Sequence, residues 1–181
     1  MKVTPTALPG VLILEPRVFE DARGSFFESY NLQLLDKAVG REIRFVQDNH
    51  STSTRHVLRG LHYQIARPQG KLVRVISGEI FDVAVDLRKS SPTFGRWDAV
   101  TLNAASRAQV WIPEGFAHGF LVLSDVAEVI YKTTDYYAPE HERTIRWDDP
   151  ALGIAWPVSG RPILSAKDAS GQAMADAEYF G

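Results

Sequence analysis

The chain has 181 residues, 45% of them hydrophobic and 23% charged, and we expect a single domain that covers residues 1–181. Its formal net charge of −2 gives no general attraction for nucleic acid or an anionic membrane, so any anionic ligand must be bound by local cations. The chain has no cysteine, which excludes disulfides, zinc–thiolate sites and a cysteine nucleophile.

The N-terminal third predicts short strands and one helix. Residues 1–5 lack the apolar core of a signal peptide, and no apolar run reaches membrane-spanning length, so we expect a cytoplasmic protein. Residues 11–14 are a short apolar strand that could pair at a sheet edge or with another subunit. Residues 25–30 alternate as a strand after the turn at 21–24. Asn31 then caps a short helix that Gly40 ends.

From residue 45 onward the sequence predicts strands and turns. Residues 80–87 alternate, with one face formed by Phe81, Val83, Val85 and Leu87 and the other by Asp82, Ala84 and Asp86. Turn signals recur at regular spacing, which predicts an antiparallel sandwich or barrel. The segment after residue 150 is interrupted by prolines and is expected to cover the sheets.

The segment 59–71 combines an imidazole with two cations. Strand parity puts His62 on one face and Arg59 on the other, so both can serve one site only if a bulge interrupts the strand at Gly60. A half-buried histidine held by hydrogen bonds is the structural alternative. The neighbouring cations Arg59 and Lys71 favour a functional role, because buried positions rarely hold such a mixture.

A second histidine, His118, follows a proline–glycine turn and begins an apolar strand. With His62 and Gln64 it suggests the metal-binding pattern of cupin barrels, which combines a His-x-His pair, a carboxylate and a later histidine. Gln64 replaces the second histidine of that pattern, and Lys71 falls near the position of the carboxylate, where a cation would repel a metal. The sequence therefore argues against a metal site.

Other candidate residues surround these histidines. Parity points the phenol of Tyr131 inward, where it is either a core hydroxyl or a proton donor. Four cations lie beside turns, glycines or aromatic residues and could converge on a diphosphate, although each could equally be a solvated surface charge: Arg23, Arg59, Lys71 and Lys167. Because no phosphate loop or dinucleotide fingerprint is present, a nucleotide base would need stacking, for which Phe26 and Tyr137 are candidates.

Taken together, these stretches resemble the family of dTDP-4-dehydrorhamnose 3,5-epimerases over most of the chain. The matching segments are 23–28, 45–51, 58–64, 69–75, 78–86, 111–120, 131–137, 142–143, 147–150 and 164–168. The resemblance implies an all-β, cupin-like double-stranded β-helix (jelly roll) with a few short helices, which works without metal or other cofactor. It also implies a homodimer that exchanges N-terminal strands, which would give residues 11–14 a partner.

The implied reaction, a step of dTDP-L-rhamnose biosynthesis, epimerises C3 and C5 of dTDP-4-dehydro-6-deoxy-D-glucose to give dTDP-4-dehydro-L-rhamnose. By resemblance His62 is the base, Tyr131 the opposing acid, Asp168 the carboxylate that orients the imidazole, and Lys71 the cation that stabilises the enolate. The remaining implied residues bind substrate: Arg23, Arg59 and Lys167 the diphosphate, Gln47, Asn49, Glu28, His118 and Glu142 the sugar or nucleotide, and Tyr137 or Phe26 the thymine.

Several alternatives stay open at this point. Relatives with the same His–Tyr pair epimerise C3 alone or C5 alone, and others isomerise the ketone. A non-catalytic cupin domain that binds a nucleotide sugar, or a metal-dependent cupin oxygenase, would belong to another functional class. The chain departs from the family at His56, where a small residue such as glycine is more common; this departure bears on the shape of the loop and not on the reaction.

Overall fold

Strands dominate the computed structural model, which describes residues 1–181. The strands are β1 (Lys2–Pro5), β2 (Leu12–Glu15), β3 (Val18–Asp21), β4 (Gly24–Phe27), β5 (Gln47–Thr54), β6 (Leu58–Gln64), β7 (Lys71–Ser77), β8 (Glu79–Asp86), β9 (Trp97–Asn103), β10 (Gln109–Ile112), β11 (Phe116–Val122), β12 (Val126–Thr133) and β13 (Glu142–Thr144). The helices are α1 (Leu32–Val39), α2 (Ala166–Ala169) and two 3₁₀ turns, Pro139–His141 and Met174–Asp176. None of these helices has the length and apolarity of a membrane span.

The thirteen strands form two large antiparallel sheets and one separate hairpin. The first sheet has the order β1-β2-β10-β7-β12-β5, the second has the order β13-β6-β11-β8-β9, and β3 pairs only with β4. Apolar side chains of both large sheets, such as Val73 and Val129 from the first and Ile80 and Phe120 from the second, form one cluster between them. The two sheets therefore face each other as a jelly roll, which confirms the predicted all-β fold.

Successive side chains of strand β8 pack alternately on the two faces of the second sheet. Val83 and Val85 lie on the outer face of the second sheet, where they pack with Trp156 and Met174 of the C-terminal segment. Ala84 belongs to the cluster between the sheets. Both predicted faces of this strand are thus buried, and the C-terminal segment covers the sheet as the sequence predicts.

The predicted N-terminal strand at 11–14 is β2, which lies within the first sheet. It pairs with β1 and with β10 of the same chain, and an exchange of strands between two copies stays a prediction. The hairpin of β3 and β4 is the N-terminal element without a place in either large sheet. Its Phe19 and Phe26 are 51% and 72% exposed, which leaves an apolar surface on the hairpin.

The predicted helix is α1, and the two residues predicted to cap it, Asn31 and Gly40, do so. The side chain of Asn31 accepts a hydrogen bond from the Leu34 amide at 3.2 Å, and Gly40 ends the helix with φ +80°. Its Leu35 packs with Trp111 and others on the outer face of the first sheet.

The turn between β5 and β6 contains His56, which has φ +66°. This left-handed conformation is unfavourable for a side chain with a Cβ and free of that penalty for glycine. The backbone conformation therefore explains why glycine suits this position.

Candidate active site

A cavity of about 570 Å³ lies between the two sheets. Side chains from both sheets, from the loop after β12 and from the C-terminal segment line it. The predicted site residues in its lining are Gln47, Asn49, Arg59, His62, Lys71, His118, Tyr131, Tyr137, Glu142, Lys167 and Asp168. Residues from distant parts of the sequence thus converge on one cavity.

The predicted interruption of strand β6 is present. His62 lies opposite His118 of β11 and Arg59 lies opposite Phe120, so three steps along β6 match two steps along β11. This is a bulge, and Gly60 within it has φ +115°. Because the bulge reverses the parity of the strand, Arg59 and His62 both line the cavity.

His62 forms a short hydrogen bond with a buried carboxylate. Its Nε2 lies 2.5 Å from Oδ1 of Asp168, which is 3% exposed. Burial lowers the pKa of His62, and the hydrogen bond and charge of Asp168 oppose this effect. Burial also opposes ionisation of Asp168, but hydrogen bonds from His62 and Ser165 outweigh it, so its pKa is lowered. The imidazole therefore faces the cavity with one nitrogen fixed by an anion.

Ser165 holds Asp168 in place and was missed by the sequence reasoning. Its hydroxyl donates to Oδ2 of Asp168 at 2.7 Å and accepts from the Asp168 amide at 3.1 Å, as the N-cap of α2. The spacing Ser-x-x-Asp at 165–168 is that of a capping box, so the sequence did contain a signal for this residue.

Lys71 is a buried cation in the lining. It is 7% exposed, and its Nζ donates to the carbonyl oxygen of His62 at 3.4 Å. Burial lowers its pKa from 10.5 to about 8, against the opposing charges of Glu142 and Asp82. At neutral pH Lys71 is therefore still mostly protonated.

Tyr131 lies on the opposite wall from His62. It belongs to β12 in the first sheet, where its cross-strand neighbour is Asn49, whereas His62 belongs to β6 in the second sheet. Burial raises the pKa of Tyr131, and the nearby charge of Arg59 only partly opposes this. The phenol is thus protonated at neutral pH and can donate a proton.

His118 and His62 each have their own carboxylate partner. His118 Nε2 lies 2.8 Å from Oδ2 of Asp82, and both side chains are buried. No group of three or more His, Cys, Asp or Glu side chains has an arrangement that could hold a metal ion. Each of the two imidazoles is therefore paired with its own carboxylate.

The outer part of the cavity carries a polar network. Glu142 accepts hydrogen bonds from Lys167 Nζ at 2.7 Å and from the Tyr137 hydroxyl at 2.8 Å. Burial opposes ionisation of Glu142, but these two donors outweigh it and lower its pKa. Arg59 donates from Nε to the Ser53 hydroxyl at 3.0 Å. Arg59 and Lys167 are thus each held by a polar partner in the cavity lining.

Three predicted binding residues lie outside this cavity. Arg23 pairs with Asp21 on the hairpin, with 2.6 Å between Nη2 and Oδ2. Phe26 points into solvent on the same hairpin, and Glu28 follows it and is exposed. Within one chain the hairpin does not bring these side chains to the other site residues, because it is separate from both large sheets.

Comparison with known proteins gives a consistent assignment. The family model described as dTDP-4-dehydrorhamnose 3,5-epimerase matches residues 5–176. A protein of that name from Pseudomonas aeruginosa is 61% identical over 180 residues, which are 99% of each chain.

Solved structures agree with this similarity. The Legionella pneumophila dTDP-6-deoxy-D-glucose-3,5-epimerase, in complex with dTDP-4-keto-L-rhamnose, is 48% identical, has a TM-score of 0.95 and covers 98% of this chain and 94% of its own. A 3'-monoepimerase from Streptomyces bikiniensis, in complex with dTDP-quinovose, is 36% identical, has a TM-score of 0.89 and covers 94% of this chain and 87% of its own.

Proposed function

The chain belongs to the dTDP-4-dehydrorhamnose 3,5-epimerase family, and from this premise we propose the reaction and the role of each residue in the cavity. The chain is an isomerase that converts dTDP-4-dehydro-6-deoxy-D-glucose to dTDP-4-dehydro-L-rhamnose, a step of dTDP-L-rhamnose biosynthesis. Its cupin-like jelly roll is shared with the Legionella pneumophila enzyme.

One observation carries the assignment of roles. His62 lies on β6 and Tyr131 lies on β12 of the facing sheet, and both line the cavity. Inversion of a carbon needs a base on one face of the sugar ring and an acid on the other. A ring bound between the two sheets meets these two groups from opposite sides.

His62 is the base. Asp168 holds its Nε2, which leaves Nδ1 to remove the proton from a carbon next to the C4 ketone. The electron pair of the broken C–H bond moves into an enolate, whose oxygen is stabilised by the Lys71 ammonium group. Tyr131 then donates its phenolic proton to the same carbon from the opposite face. Proton exchange with solvent restores neutral His62 and protonated Tyr131 before the second carbon reacts.

The pKa shifts favour the protonation states that this reaction requires. Burial lowers the pKa of His62, which keeps the base neutral, and raises that of Tyr131, which keeps the acid protonated. Lys71, with a pKa of about 8, remains a cation at neutral pH. The three groups are therefore ready for proton abstraction in the same pH range.

Several other lining residues bind the substrate. Arg59 and Lys167 supply positive charge for the diphosphate. Gln47, Asn49, His118 and Glu142 contact the sugar or nucleotide, and the exposed ring of Tyr137 stacks on thymine. These assignments follow the matching motifs and the membership of these side chains in one cavity.

Deuterium incorporation from D₂O tests the reaction directly. The wild-type chain is expected to introduce deuterium at both C3 and C5 of the 4-keto sugar nucleotide, read by NMR. His62→Ala should abolish exchange at both carbons. Tyr131→Phe should lose turnover while exchange persists, because the base can still remove and return a proton on one face. His50→Ala is the matched control, since His50 is an exposed imidazole outside the cavity.

Other outcomes identify the alternatives. Exchange at one carbon only would indicate a single-carbon epimerase, like the Streptomyces bikiniensis relative. Exchange at one carbon with transfer of the ketone would indicate a ketoisomerase. If no exchange occurred while dTDP still raised the melting temperature, the chain would be a binding domain, and the proposed proton abstraction would be excluded.

We further propose that two copies form a homodimer that exchanges the β3–β4 hairpin. The hairpin has no partner strand in either large sheet, and its Phe19 and Phe26 are exposed. It also carries Arg23 and precedes Glu28, which are predicted to bind substrate but lie away from the cavity of their own chain. Exchange would deliver these side chains to the cavity of the second copy.

Complementation between two impaired variants tests the exchange. Arg23→Ala and His62→Ala should each be strongly impaired alone. When they are co-refolded, each mixed dimer would contain one cavity with both intact residues, so random pairing should restore roughly a quarter of wild-type activity. Recovery would be absent if Arg23 served its own chain or no site at all.

Two further sequence predictions stay with this proposal. The enzyme works without metal, which elemental analysis of the purified, fully active protein tests; stoichiometric iron or manganese would contradict it. A cytoplasmic location also remains a prediction from the sequence.

A further inference from the structure

The loop after β12 presents Tyr137 with little packing to hold it. Tyr136 and Tyr137 are both more than half exposed. The ring of Tyr137 nevertheless has a defined position, because its hydroxyl donates to Glu142 at the cavity edge. A stacking surface needs a rigid backbone beneath it, since ordering a mobile loop on binding lowers the affinity.

Gln64 bonds to this loop from the end of β6. Its Nε2 donates to the carbonyl oxygen of Tyr136 at 3.3 Å, and its Oε1 accepts from the Ala138 amide at 2.8 Å. The same Nε2 donates to the carbonyl oxygen of Arg67 at 2.7 Å. Gln64 is 3% exposed, and its donor and acceptor atoms all have partners in the backbone. Gln64 is thus hydrogen-bonded to the backbone of the residues before and after Tyr137.

Two other glutamines complete the set. Gln69 Nε2 donates to the carbonyl oxygen of Asp135 at 2.9 Å, and Gln47 Oε1 accepts from the Tyr137 amide at 3.0 Å. Four successive residues, 135–138, therefore each have a backbone group bonded to a glutamine side chain. The three glutamines come from different segments of the chain, and all of them line the cavity.

The chemistry of the amide explains the choice of residue. Gln64 must donate to carbonyl oxygens and accept from an amide at the same time, which a neutral amide does and an ionised carboxylate cannot. This residue occupies the position where the cupin metal pattern has its second histidine. The side chain that departs from the metal pattern is thus used to anchor a loop.

We propose that Gln64 and Gln69 are positioning residues that preorganise the Tyr137 loop for stacking on the nucleotide base. The inference rests on the proposed function, because it assigns Tyr137 to the base. Neither glutamine takes part in proton transfer. Their effect is on the affinity for the base. The diphosphate is assigned to Arg59 and Lys167, and neither glutamine is hydrogen-bonded to these two cations.

Two variants and two probes test this proposal. Gln64→Glu keeps the size of the side chain and its acceptor but removes both donated hydrogen bonds. Gln69→Met keeps the length and removes the bond to Asp135. Calorimetry with dTDP should show about a tenfold loss of affinity for Gln64→Glu and about a threefold loss for Gln69→Met. Affinity for inorganic pyrophosphate, which lacks a base, should stay within about twofold of wild type.

Steady-state kinetics supply a second readout. KM for the sugar nucleotide should rise in parallel with the loss of dTDP affinity, while kcat and the deuterium exchange rate at saturation stay near wild type. Ser124→Ala is the matched control: Ser124 anchors the turn at the other end of β12 through bonds to the Val126 carbonyl and the Glu79 amide. It should change neither affinity.

The outcomes separate this inference from the proposed function. Equal losses of dTDP and pyrophosphate affinity, a fall in kcat without a change in KM, or unchanged dTDP affinity in both variants would overturn the positioning role. If Gln64→Glu does not fold, Gln69→Met decides by the same criteria. Absence of deuterium exchange in the wild type would refute the epimerase assignment and leave the dTDP comparison interpretable.

Discussion

Replacement of Lys71 by methionine should stabilise the fold and abolish most of the activity. Lys71 is a cation buried within the cavity lining, and burial lowers its pKa from 10.5 to about 8. The difference corresponds to a free-energy penalty of about 3 kcal/mol at pH 7 for keeping this group charged in the folded state. Methionine has a similar length and no charge, so the variant avoids the penalty.

The penalty depends on pH in a defined direction. The unfolded chain keeps Lys71 at its ordinary pKa, so between about pH 8 and 10.5 the unfolded state binds more protons than the folded state. Stability of the wild type therefore rises with pH through this window. The stability advantage of Lys71→Met should be about 3 kcal/mol at pH 7 and fall to about 1 kcal/mol at pH 10.

Urea unfolding followed by circular dichroism, at pH 7 and pH 10 and at one fixed protein concentration, measures this difference. Lys37→Met is the control, since Lys37 is exposed on α1 and its replacement should change stability by less than about 0.5 kcal/mol. The turnover of Lys71→Met should fall by about 10² to 10³, as expected for loss of a group that stabilises an oxyanion. An equal advantage at both pH values, or a variant less stable than wild type at both, would refute the reasoning.

Three further substitutions have defined outcomes. Asp168→Asn should lower kcat by about 10² to 10⁴ while KM changes little, because His62 loses the anion that orients it; unchanged kcat would remove Asp168 from the mechanism. Since the pKa of Asp168 is lowered in the fold, its stabilising contribution is present above pH 3.8 and lost as the pH falls below that value, and acid titration of unfolding should show less of this loss in the variant. His56→Gly should raise stability by about 0.5–1 kcal/mol by relieving the φ of +66°, seen as a Tm increase of about 1–4 °C; a lower Tm would mean that the imidazole itself is needed. Gly60→Ala should destabilise by more than about 2 kcal/mol, since its Cβ would lie 2.6 Å from the Cα of Gly119, and normal stability with full activity would contradict the importance of the bulge.

Local signals in the sequence were sufficient for several elements. Alternation in residues 80–87 predicted both faces of β8, and helical spacing between Asn31 and Gly40 predicted α1 with its caps. The motif around His62 was recognised, and parity required a bulge at Gly60, which the register of β6 and β11 contains. The caps of α1 depend on contacts within a few residues, and the faces of β8 and the bulge follow from strand parity, so the linear pattern reports them.

The sequence could not decide which segments meet. The partners of β2 turned out to be β1 and β10 of the same chain, and nothing in an apolar run of four residues distinguishes such neighbours from those of a second subunit. Likewise, the isolated motif at 23–28 resembles a binding segment, but its distance from the cavity of its own chain follows only from the placement of the hairpin.

By itself, then, the sequence determined the chemistry available to this protein: the imidazole of His62, the phenol of Tyr131 and the cations. Only the tertiary structure decided that His62 and Tyr131 stand on facing sheets and that the glutamines at 47, 64 and 69 bond to one loop. The physical reason is that residue type sets what a side chain can donate, accept or titrate. Its pKa and its partners are set by burial and by neighbours that are distant in the chain, which only packing of the two sheets brings together.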